Sequence, residues 1–177
     1  MSFSPDTRIG VIYANGWDED LFPEVKDLVR RLRLANAGAE DAYDVLSRSL
    51  NMTVMHIPEP ERQQFPDGAA LESPALTAEK ENLDAIVEFQ VKPLLLTAIN
   101  PAELHDKRIR ILTSLTLYNK TGEVAWRSTR ALNFGTSLYW SRDLMPILIE
   151  ERGNINDFAE PMAAELLEAL PIVARTQ

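Results

Sequence analysis

RIRILTSLTLY (Arg108–Tyr118), NKTG (Asn119–Gly122) and EVAWRSTRALNF (Glu123–Phe134) follow one another without a break, and their reading decides the fold. In the first run Ile109, Ile111, Leu115 and Leu117 share one side of an alternating pattern, the period of a strand whose successive side chains point to opposite faces. Asn-Lys-Thr-Gly is the composition of a tight turn, and two alternating runs joined by such a turn predict a β-hairpin. Upstream, Ala85, Val87, Phe89 and Val91 alternate with Glu88, Gln90 and Lys92, which predicts a strand with one buried and one wet face. Pro93 lacks an N–H and is expected to end that strand or to mark a sheet edge.

Further upstream, Arg8–Tyr13 carries apolar residues on both faces, as a central strand covered from each side would. Met52–Ile57 predicts a second, short strand. Between them Pro23 suits the first turn of a helix, with Val25, Leu28, Val29, Leu32 and Ala35 forming one apolar stripe. Gly38 is expected to break this helix, and Ala39, Ala42, Tyr43, Leu46 and Leu50 give a second helical stripe. Pro58, Pro60, Pro66 and Pro74 make residues 58–76 a proline-rich exposed connection. Thr77 is expected to cap a turn over Ala78–Asn82. After the hairpin, Asp143–Arg152 reads as a short helix, and Ile155–Leu170 as a longer one with Phe158, Met162, Leu166 and Leu170 on one face.

The expected fold is therefore α+β (α/β-like), a mixed sheet of about five strands in the order β-α-α-β-β-β-β-α. Helices pack on the sheet and one closes the C-terminal end. Two early strands joined through helices imply a parallel pair, whereas the hairpin implies antiparallel neighbours. The length of 177 residues suggests one domain over 1–177. Residues 134–153, aromatic and helical, would be inserted before the last helix.

Composition narrows the function classes. The formal charge of −9 lacks the clustered cations that phosphate contacts need, so nucleic acid is not an expected partner. With no cysteine there is no disulfide, thiolate metal site or thiol nucleophile. The seven glycines are too scattered for a dinucleotide fingerprint or a phosphate-binding loop. The start has no basic segment followed by an apolar one, so no export signal is expected as written. No stretch reaches the roughly 18 apolar residues of a membrane-spanning helix.

Two groups of residues invite a functional reading. Arg108, Arg110, Arg127 and Arg130 sit on the hairpin, where they could dock an acidic partner bidentately or pair with the chain's own acids. Phe134, Tyr139 and Trp140 form an aromatic run beside them, of the kind enriched at binding interfaces. These seven are the expected partner-binding residues; no catalytic, cofactor or metal residue is expected. The competing expectation is a cytosolic small-molecule-binding or metal-assisted enzyme using Asp18, Asp20 and His56, all near predicted strand ends. The Asp18-Glu19-Asp20 cluster does not complete a calcium-loop pattern. Glu88 and Glu123 could act as paired carboxylates only if the fold brings them together.

The block Leu83–Phe89, the strand Ile109–Tyr118 and the turn Lys120-Thr121-Gly122-Glu123-Val124-Ala125-Trp126 resemble bacterial envelope lipoprotein domains. The likeness is to the CsgG-like, LpoB-like and TolB amino-terminal-like group, whose order of elements also matches Ile9–Tyr13 and Met52–Ile57. The resemblance implies a non-enzymatic binding or assembly module, the soluble part of a periplasmic lipoprotein anchored at the outer membrane in full-length form. Its partner would be another envelope protein or a second copy, and its only membrane link a lipid anchor. The departures are the long 58–76 connection, the 134–153 segment and the absence of a lipid-bearing cysteine.

Overall fold

Alternation along the hairpin yields two long strands, and the computed structural model describes residues 3–15, 33–58, 73–96, 107–136 and 152–171 around and including them. The elements are β1 (Arg8–Asn15), α1 (Leu34–Ser49), β2 (Thr53–His56), α2 (Pro74–Lys80), β3 (Ala85–Leu96), β4 (Lys107–Asn119), β5 (Val124–Thr136), α3 (Arg152–Asn156) and α4 (Ala159–Ala169). One mixed sheet runs β2-β1-β3-β4-β5. β1 is parallel to β2 and β3, while β3, β4 and β5 are antiparallel neighbours. This is the α+β class and mixed five-stranded sheet that the sequence predicts, closed by a C-terminal helix.

Register explains the core. Val11 lies beside Val87, Val87 beside Leu117, and Phe89 beside Leu115, all on one face. Over that face α1 lays Leu34, Ala35, Ala39, Ala42 and Leu46, and α4 lays Met162, Ala163 and Leu166, all buried. Each large apolar side chain buried there contributes about 1.5–3 kcal/mol.

Gly38 does not break a helix: α1 runs through it. A Cβ at Gly38 would land within the Phe89 ring, so the missing side chain lets α1 approach β3. α1 begins after Arg33, its N-cap residue, whose φ of 51° is left-handed. Of the first predicted stripe only Ala35 falls within the described residues, and it belongs to α1. Pro93 does not end β3, which continues to Leu96. It sits beyond Val91, the last residue of β3 facing β1, where its missing N–H breaks no ladder bond among the described residues.

Thr77 is buried inside α2 and does not cap it. Ser73 does, its Oγ accepting the Leu76 N–H at 3.3 Å, with Pro74 at the favoured first position. The end of the proline-rich connection is thus helical; residues 59–72 lie outside the described part. The helix predicted over 155–170 runs Ala159–Ala169 as α4, after the short α3 over Arg152–Asn156; of the helix predicted over 143–152 all but Arg152 lies outside the described residues. Pro161 falls in the first turn of α4, where a proline ring is tolerated.

The opposite sheet face is covered differently. Here α2 spans one end, where Ala78, Leu83 and Ile86 are buried among Ile12, Met55, Ile57 and Tyr118. A Cβ on Gly10 would meet Leu83 Cδ1 at 2.6 Å and Ile57 Cδ1 at 2.7 Å, so this packing also depends on a bare backbone.

Candidate functional site

Strand order leaves β2 and β5 at the sheet edges, and the two differ in length. β2 has four residues and β5 has thirteen. An outer strand presents a row of backbone N–H and C=O groups that another extended chain can pair with. Among the described residues no strand lies beyond β5.

Cross-strand register sorts the side chains of β5 by face. Trp126 opposes Leu117, Ser128 opposes Leu115 and Arg130 opposes Thr113, on the face that α1 and α4 cover. On the other face Val124 opposes Tyr118 and Arg127 opposes Thr116. A register shift between Leu117 and Tyr118, a bulge that inserts one residue into β5, places Val124 and Arg127 on the same face despite their odd separation. They stand opposite residues only two apart on β4.

The hairpin arginines are therefore not one patch. Arg108 opposes Gly135 and Arg110 opposes Asn133, whereas Arg127 opposes Thr116. Arg110 and Thr116 are six positions apart on β4, roughly 20 Å at the rise of a strand. Arg130 is held on the covered face: its guanidinium pairs with Glu165 of α4 and donates to Ser128 Oγ at 3.1 Å. Ser128 Oγ also donates to Glu165 Oε2 at 2.6 Å. That hydroxyl, with the Arg130 charge, holds the Glu165 carboxyl below its ordinary value. Arg127 differs, being exposed, with its Nε donating to Thr116 Oγ1 at 3.0 Å.

Beside Arg127 the candidate carboxylate Glu88 meets a phenol rather than a second carboxylate. Tyr118 Oη donates to Glu88 Oε1 at 3.2 Å. Burial pushes the Glu88 carboxyl up, against the pull of the Tyr118 hydrogen bond and the Arg127 charge. The Tyr118 phenol is also pushed up, first by burial and then by the Glu88 charge. Glu88 is not paired with Glu123. The latter belongs to the hairpin turn, where its Oε2 accepts from Asn119 Nδ2 at 2.8 Å. The signal for Glu88 was its place on the wet side of a strand whose neighbours carry Thr116 and Tyr118, legible only once register is known.

The same face carries the two most exposed large apolar side chains among the described residues, Val124 at 52% and Leu76 at 51%. Leu76 lies on α2 and Val124 at the start of β5. Gly122, in the left-handed region at φ 83°, packs its backbone on Ala75, and a Cβ there would lie 3.1 Å from Ala75 Cβ. Leu76 follows Ala75 and Val124 follows the turn. A groove of about 600 Å³ runs here, lined by Leu76, Glu79, Leu83, Lys120 and Thr121 among others.

Of the other candidates, Phe134 is placed in β5 opposite Ile109, and Tyr139 and Trp140 lie outside the described residues. So do Asp18 and Asp20. His56 ends β2 opposite Val11, its ring 5.8 Å from that of Tyr43. Its Nε2 is buried and meets no hydrogen-bond partner among the described residues.

No protein-family model and no curated protein sequence matches the chain. Solved structures do resemble it. A single-residue variant of the PelC dodecamer from Paraburkholderia phytofirmans matches with a TM-score of 0.46 and 13% identity, over 96% of this chain and 92% of that one. A lipoprotein from Neisseria meningitidis matches at 0.39 and 14%, over 88% and 99%. The LpoB C-terminal domain from Salmonella enterica matches at 0.32 and 12%, over 74% and 84%. All three TM-scores lie below 0.5, and these likenesses assign no function to the chain.

Proposed function

We propose that this chain is a non-enzymatic protein-binding or assembly module of the bacterial envelope, the soluble part of a periplasmic lipoprotein. One observation carries the binding role: the outer edge of the thirteen-residue strand β5 is unpaired among the described residues. A strand edge of that length is an association template unless it is covered, shortened or blunted. β5 contains neither proline nor lysine, and its blunting devices, the bulge and the charged Arg127, lie at its Val124 end. The envelope setting follows from the sequence resemblance of the Leu83–Phe89 and Lys120–Trp126 blocks. In this reading Arg127 belongs to the contact surface, and Arg130 serves the fold through Glu165.

The test is retention of host envelope proteins by the purified chain, compared between wild type and a Val124→Lys/Arg127→Glu double variant. The proposal expects at least one protein held by wild type and lost from the variant, with both folded by circular dichroism. Identical retained sets would overturn it.

A further inference from the structure

From the alignment of Val124, Arg127 and the unpaired β5 edge we infer what the edge accepts. It takes an extended segment of a partner protein by strand addition, one that places an apolar and an acidic residue two positions apart. The inference rests on the protein-binding reading above and gives the partner a chemistry.

An added strand hydrogen-bonds to the outer side of β5, and its alternate side chains fall on the same face as Val124 and Arg127. Val124 and Arg127 stand opposite Tyr118 and Thr116, so the bulge compresses their separation to two ladder steps. A regular strand alongside, parallel or antiparallel, meets them with residues i and i+2. Val124 is itself an exposed apolar side chain, next to the turn whose Gly122 packs on Ala75. The fitting residue there is aliphatic. Beside Arg127 the complement is a carboxylate: the guanidinium bonds Thr116 through Nε and also reaches Tyr118, and its exposed position leaves room for a charged partner. Glu88 nearby is already engaged by Tyr118. Pairing with the β5 of a second copy is disfavoured where it sets one Arg127 directly opposite the other.

The experiment uses the full chain and short synthetic peptides carrying Leu and Asp at i and i+2. Controls of the same composition carry them at i and i+1, which puts the two side chains on opposite faces of a strand. Fluorescence anisotropy is expected to show at least about tenfold tighter binding for the i, i+2 series. Arg127→Glu is expected to abolish that preference, and replacing Asp by Lys in the peptide to restore binding to this variant. N-methylating alternate peptide amides is expected to abolish binding in one phase and preserve it in the other. Equal binding of both spacings, no rescue by the charge swap, or dimerisation through β5 would overturn the inference. If the spacing series fails while the Val124→Lys/Arg127→Glu variant still loses an envelope protein, strand addition falls and the protein-binding reading stands.

Discussion

Arg127 and Arg130 lie three residues apart on one strand and look alike in sequence, yet the two faces of β5 use them differently. Arg130 points to the face covered by α1 and α4 and is tied to Glu165 and Ser128. Arg127 points to the other face, exposed beside Val124 and the Glu88–Tyr118 pair. The carboxylates follow the same division. Glu165 on the covered side is held down by Ser128 and Arg130, and Glu88 on the other side is pushed up by burial. One face is organised by packing and closed pairs, the other by a short polar cluster and an uncovered edge.

The largest test of this division is Phe89→Ala. Phe89 is fully buried under α1, and its truncation should cost about 3–5 kcal/mol, read as a shift in the denaturant midpoint. An equal loss from Arg127→Ala would erase the distinction between faces. Gly38→Ala is next. The added methyl meets the Phe89 ring, and overpacking of this kind costs about 1–3 kcal/mol. A neutral result would show that α1 and β3 separate without strain.

Acidity sharpens the comparison further. The folded-state pKa of Glu88 is raised above 4.5, so the folded chain holds that proton more tightly than the unfolded one. Its stabilising contribution is complete below 4.5 and is lost as pH rises through the raised value. Glu165 is lowered from 4.5, so its contribution is present above 4.5 and lost as pH falls through the lowered value. Glu88→Gln should therefore flatten the decline of Tm with rising pH, and Glu165→Gln the decline with falling pH. The two substitutions acting in the same direction would contradict the assignment. The smallest effect is expected from the pair itself: both partners are partly exposed, and a double-mutant cycle on Arg130 and Glu165 should give a coupling smaller than the loss from either core substitution.

Much of the fold was legible in the residues. Period-two alternation over Ala85–Val91 and Ile109–Leu117 identified β3 and β4, and Asn119–Gly122 the turn from β4 to β5, because strand period and turn chemistry are local properties. Gly38 was misread for the complementary reason. Its meaning depends on Phe89, fifty-one positions away in the chain, and local reading supplies only the helix-breaking tendency. Pro161 lies inside the predicted helix 155–170, and its ring, favoured in a helix's first turn, fits a helix that begins at Ala159. The arginines were correctly placed on the hairpin. That Arg127 and Arg130 take opposite faces follows from strand alternation, but which of them shares a face with Arg108 and Arg110 was not legible, because the Leu117/Tyr118 bulge shifts β5 against β4. Glu88–Tyr118 and the exposure of Val124 likewise depend on register and on where α2 lies.

The most direct test of the account sets the two arginines against each other. Binding of the Leu–Asp i, i+2 peptide is measured to Arg127→Glu and to Arg130→Glu, each checked for thermal stability. The account predicts at least about tenfold weaker binding for Arg127→Glu with Tm retained. It predicts near wild-type affinity for Arg130→Glu, with a lowered Tm as Glu165 loses its partner. Unchanged affinity in Arg127→Glu, or an equal loss in a folded Arg130→Glu, would contradict it.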